Sequence, residues 1–107
     1  MTNNEFNNVV YDQLKHCEDI LIQKGGEYAQ SEDRLDHFKH SAQFMRMSPK
    51  KALFSFLAKH LVSIADMCSS DKKFEFAKWN EKITDSINYL ILLKAIIEEE
   101  EDEKDRS

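Results

Sequence analysis

The chain has only 2 glycines, 1 proline and 1 tryptophan in 107 residues, too few turn formers for a fold of many short strands. Its 2 cysteines, Cys17 and Cys68, lie too far apart for a CxxC redox or zinc pattern, and no histidine pair stands near either at finger spacing. Both read as ordinary thiols. The N-terminus, Met1-Thr2-Asn3-Asn4-Glu5, has no basic region followed by an apolar run, and no stretch approaches the ~20 apolar residues of a bilayer span. The expectation is a cytoplasmic protein with no membrane partner. An excess of basic charge is also missing. The formal charge is -5, and Glu98–Ser107 alone holds seven acids and two bases, which leaves 13 of each sign in residues 1–97. A balanced body offers no electrostatic footing for nucleic acid.

What is present is 41% hydrophobic and 33% charged residues, enough for one core without a disulfide or a structural metal. Phe6, Val9, Val10, Leu14, Cys17, Leu21 and Ile22 recur at threes and fours, which predicts a helix from about residue 5 to residue 24, closed by Gly25-Gly26 in the left-handed conformation. Ser31 is a candidate cap for a second helix with Glu32 and Asp33 in its first turn, an inner face of Leu35, Phe38, Ala42 and Met45, and a stop near Met47. Ser48-Pro49 opens a third, to about Cys68, with Leu53, Leu57, Leu61, Ile64 and Cys68 as its main stripe. After Ser69–Lys73 a fourth runs from Phe74 or later to about Glu100, with Trp79, Ile83, Ile87, Leu90 and Ile97 broadly on one side. Phe54, Phe56, Phe74 and Phe76 read as core. The fold class is all-α: one four-helix domain over residues 1–97 and a frayed or disordered acidic tail over 98–107.

Two polar stripes interrupt apolar faces. On the third helix Lys59, Ser63 and Asp66 fall within about 60° of one another and continue the line of Ala52 and Phe56; on the fourth, Glu81, Asp85 and Asn88 share a face that continues as Leu92 and Ile96, flanked by Tyr89. Facing each other, these stripes would form a pocket walled by Phe56, Tyr89 and Leu92, with three carboxylates and one ammonium at its mouth. Clustered carboxylates repel unless a cation joins them, and oxygen ligands at this spacing suit Mg²⁺ or Mn²⁺, which then take phosphate oxygens. A solvated face with Lys59 and Asp66 as a surface pair explains the same pattern without a ligand. Lys24-Gly25-Gly26-Glu27-Tyr28 is a second cluster, able to clamp a base or phosphate or, more simply, to cap a helix. His37 and His40 stand at i, i+3 without the HExxH pattern of a zinc site, while His16 and His60 stand alone.

Taken in order, Lys24-Gly25-Gly26-Glu27-Tyr28, Asp33-Arg34 with Phe38, Lys59-His60-x-x-Ser63-Ile64-x-Asp66 and Trp79-x-Glu81-Lys82-x-x-Asp85-x-x-Asn88-Tyr89-Leu90 resemble small bacteriophage and prophage proteins related to the MazG-like all-α nucleoside triphosphate pyrophosphohydrolases. The resemblance spans about residues 20–97. It implies a helical bundle that assembles into homo-oligomers, dimers or tetramers, and that holds Mg²⁺ (or Mn²⁺) on acids of two adjacent helices. The implied reaction converts a (deoxy)nucleoside triphosphate to monophosphate and pyrophosphate. The family's ExxE and ExxD are here Ser63-x-x-Asp66 and Lys82-x-x-Asp85, so only Asp66 and Asp85 match directly. Glu81 is a third candidate ligand and Glu27 a fourth. Lys59 and Glu81 are the candidate catalytic groups; Lys24, Glu27, Tyr28, Arg34, Lys59, Ser63, Asn88 and Tyr89 are the candidate substrate contacts. The alternatives are a nucleotide-binding or sequestering protein without catalysis, suggested by the missing acids, and a phage inhibitor of a host factor acting through Glu98–Glu103.

Overall fold

The protein is described by a computed structural model covering residues 1–25 and 32–106, with the Lys24 side chain outside the description. Among the described residues there are four α-helices, one π-helical segment and no strand. They fall into two compact units, Met1–Gln30 and Ser31–Ser107.

In the first unit, α1 spans Asn3–Glu18. Thr2 is extended, and its Oγ1 accepts the Glu5 N–H at 3.1 Å, which satisfies one of the donors a helix leaves open at its start. The helix continues into a π-helical segment, Asp19–Lys24. Gly25 there is right-handed, with φ -60° and ψ -37°, and donates to Ile20 O. The expected left-handed closure at Gly25 therefore does not form; the widened i to i-5 pattern takes its place. Cys17 is the one buried residue described in this unit, and Phe6, Val9, Val10, Leu14 and Ile22 of the predicted apolar stripe are exposed.

In the second unit, α2 spans Asp36–Met45, later than the expected start at Ser31, which lies outside the described residues. The reason is local: Asp33 Oδ1 accepts the Leu35 N–H at 3.0 Å and Asp33 O accepts the Asp36 N–H at 3.1 Å, so Asp33 forms a turn ahead of the helix instead of joining its first turn. The helix closes at Arg46, left-handed with φ 55°, as Met47 N–H reaches Ala42 O at 2.9 Å. Then α3, Pro49–Ser69, starts at Ser48, whose Oγ accepts the Lys51 N–H at 3.3 Å, with Pro49 where a missing N–H costs nothing. The last helix, α4, runs over Phe76–Arg106.

Helices α3 and α4 share the most extensive packing and α2 lies against α3. The core joins Leu35 and Phe38 of α2 to Leu53 of α3 and Ile96 of α4, with Phe56, Tyr89 and Leu92 packed around it. Leu53 near Ile96 and His60 against Tyr89 (ring centroids 5.2 Å apart) fix α3 and α4 as antiparallel.

The burial pattern departs from the expected one. Leu61 and Cys68 are exposed on α3, and Ile83, Leu90 and Ile97 on α4, whereas Thr84, Ser86 and Asn88 are buried. Met45, Phe54 and Phe76 are exposed as well, and Phe56 and Phe74 half-buried. Periodicity locates an apolar stripe but not what covers it, and here α2 covers the other flank of the helix pair. The expected frayed tail is also corrected. Residues 98–106 continue α4, because Lys39 holds Glu99 at 2.5 Å and Lys50 holds Glu100 at 3.0 Å, tying two of the acids to α2 and α3. By length and composition alone α3 is apolar enough to cross a membrane, unlike the expectation for any stretch of this chain, yet it carries Lys59 and Asp66 and packs along α4.

Candidate functional site

The antiparallel register set by His60 and Tyr89 places Ser63 at the level of Asp85 and Ser86, and Asp66 between the levels of Glu81 and Asp85. The two polar stripes thus run alongside each other toward the α3–α4 connection, and Phe56, Tyr89 and Leu92 come together where they meet the core. Lys59, Asp66 and Glu81 are exposed; Ser63, Asp85 and Tyr89 are half-buried; Asn88 is buried.

The three acids do not gather into a preformed metal site. Among the described residues no group of three or more His, Cys, Asp or Glu side chains is placed to hold an ion. Glu27 and Tyr28, and the side chain of Lys24, lie outside the described residues. Arg34 is exposed in the turn that precedes α2, away from both stripes in sequence.

Electrostatics tie Tyr89 to this place. Burial raises the Tyr89 phenol above its ordinary pKa, and the negative charge of Asp85 adds to the rise. The ring packs edge-on to Phe38, with centroids 6.5 Å apart, and tilted against His60, so its face is positioned by both α2 and α3.

His60, which the sequence placed in the Lys59–Asp66 motif without a role, lies against Tyr89. Its Nδ1 is buried without a hydrogen-bond partner, and so are both Oδ1 and Nδ2 of Asn88. Asn88 is only 5% exposed. Leaving a buried donor or acceptor unpaired costs roughly 1–3 kcal/mol, and here there are three such atoms, one on α3 and two on α4. The signal available in sequence was that His60 follows Lys59, on the edge of the same stripe; the His37–His40 pair instead lies on α2, where His40 is 3.6 Å from Asp36 and His37 packs on Phe38 and Phe56.

A separate open groove of ≈ 410 Å³ lies between α2 and the last turns of α4, floored by Leu35, Ala42 and Ile96 and rimmed by Glu99 and Glu103. It is distinct from the polar stripes.

No family model, curated protein or solved structure matches the chain.

Proposed function

We infer that the protein binds a (deoxy)nucleoside triphosphate at the polar end of the α3–α4 pair and acts on it as a phage-type MazG-like pyrophosphohydrolase. The observation that carries this reading is the pair of buried unpaired polar groups, the Asn88 amide on α4 and the His60 imidazole that lies against Tyr89. An amide and an imidazole held in a buried place without partners are suited to a ligand edge that both donates and accepts, and a nucleobase has such an edge. Tyr89 offers a ring for stacking beside His60. Lys59 meets the phosphates, with Ser63 one turn along and Arg34 neutralising remaining charge.

In the reaction water adds to the α-phosphorus, the bond to the bridging oxygen breaks, and monophosphate and pyrophosphate leave. A divalent ion, when bound, supplies charge neutralisation on the phosphates. Asp66, Glu81 and Asp85 are the carboxylates of the polar stripes that would hold it. Because the three do not converge, no step is assigned to the ion here. Within the chain, Asp85 shapes the field at Tyr89, and this reading gives Glu81, one turn earlier, the part of accepting a proton from the attacking water. Self-association, expected from the same resemblance, belongs to this reading.

Asp85→Asn tests it. Turnover is expected to vanish, while the Tyr89 phenol titrates lower by the share that Asp85 contributes; full activity in that variant contradicts the assignment. A second reading, nucleotide binding without hydrolysis, is favoured by Ser63 and Lys82 standing where the resembled motifs carry acids. It predicts tight nucleotide binding that persists in EDTA with no product formed.

A further inference from the structure

We propose that the groove between α2 and the last turns of α4 seats a basic amphipathic helix of another protein, with that helix's apolar side chains on the floor and its lysines and arginines against the acidic edge of α4. The floor is apolar. Leu35, Ala42 and Ile96 are its buried part, and Met47 and Pro49 extend it. A volume of ≈ 410 Å³ has room for several side chains, and a cleft of this kind is where an amphipathic helix lays its apolar face.

Charge names the occupant. Residues 98–106 hold seven acids against Lys104 and Arg106, all within one helix. Glu98 and Asp102, Glu99 and Glu103, and Glu101 and Asp105 each stand four residues apart, a spacing at which like charges destabilise a helix. Lys39 holds Glu99 at 2.5 Å and Lys50 holds Glu100 at 3.0 Å, yet the count with both added is seven acids against four bases. A helix end that repels itself thus borders an apolar groove. A partner that carries cations beside apolar groups relieves the first and covers the second. Sources within the chain fit less well. A second copy brings a formal charge of -5, and residues 1–30 hold five acids against Lys15 and Lys24, the same sign as the edge. The inference does not depend on the nucleotide reading, whose residues are not among those that line the groove.

The test is fluorescence anisotropy of labelled synthetic peptides of about 14 residues, long enough to form a helix when bound, titrated with the full chain. One peptide carries leucines at helical spacing with lysines elsewhere; one has glutamates in place of the lysines; one has serines in place of the leucines. The leucine–lysine peptide is expected to bind saturably at one site, more tightly in low salt than in high salt, and the other two at least tenfold more weakly. Glu103→Lys at the rim and Met47→Ser on the floor are each expected to weaken that binding about tenfold, with helical circular dichroism intact. Should Met47→Ser lose helix, Gln43→Lys at the exposed edge gives the answer by the same readout. Absence of saturable binding overturns the proposal, as where residues 1–30 or a second copy fill the groove. So does equal binding of the serine–lysine peptide, which would reduce the effect to charge, or an affinity that the groove variants leave unchanged and that only Asp66→Asn with Asp85→Asn removes.

Discussion

Asn88 is the residue whose presence the fold explains least. A leucine there would fill the space between α3 and α4 without two orphaned polar atoms, and replacing unpaired polar groups by apolar ones is neutral to stabilising. Asn88→Leu is therefore expected to raise the stability of the ligand-free protein by about 1 kcal/mol in chemical denaturation, and to weaken nucleotide binding at least tenfold in calorimetry. A variant that is less stable and binds unchanged would show the amide to be structural. Sequence made part of this legible. Asn88, Asp85 and Glu81 stood out as polar side chains on a face that continues as apolar, and Tyr89 as their flank. The depth of Asn88 and the role of His60 were not legible, because both depend on how closely α3 and α4 approach at that level.

At the scale of the helices, local chemistry was readable where a side chain caps the backbone itself. Ser48-Pro49 opens α3 where its residue types require, and the Asp33 turn shows the opposite case. An acid near a helix start can join its first turn or cap a turn before it, and sequence does not choose between them. The choice here is supported by Lys39, which bridges Asp33 and Glu99, each at 2.5 Å, and so links the entry of α2 to α4. Hydrogen bonding to Lys39 lowers the Asp33 pKa, and the two carboxylates raise that of Lys39. The depressed acid contributes stability that is present above the ordinary Asp value near 4 and lost as pH falls through its folded value. The raised base contributes stability that is present below the ordinary Lys value near 10.4 and lost as pH rises through its folded value. All three side chains are more than a third exposed, so the whole contribution stays at about 1 kcal/mol or less. Thermal melts of Lys39→Met against wild type should differ between about pH 4 and pH 10 and converge in acid. A difference that persists at pH 2 would assign the effect to packing of the lysine stem. The same contacts explain why an acid-rich terminus is helical, which composition alone argues against.

Across the whole molecule, the helical periodicities of α1, α3 and α4 mark apolar stripes, several of whose residues are exposed. Periodicity states that a face avoids water; it does not state which surface covers it. Four helices carry no activity of their own, and the functional reading rests on the polar stripes, the unpaired atoms of Asn88 and His60 and the resemblance of the motifs. It is tested most directly by incubating the protein with a panel of ribo- and deoxyribonucleoside triphosphates, with Mg²⁺, Mn²⁺ or EDTA, and resolving the products by chromatography. The account predicts monophosphate and pyrophosphate from one or a few of them, only with metal. Absence of both turnover and saturable binding for every nucleotide would contradict it.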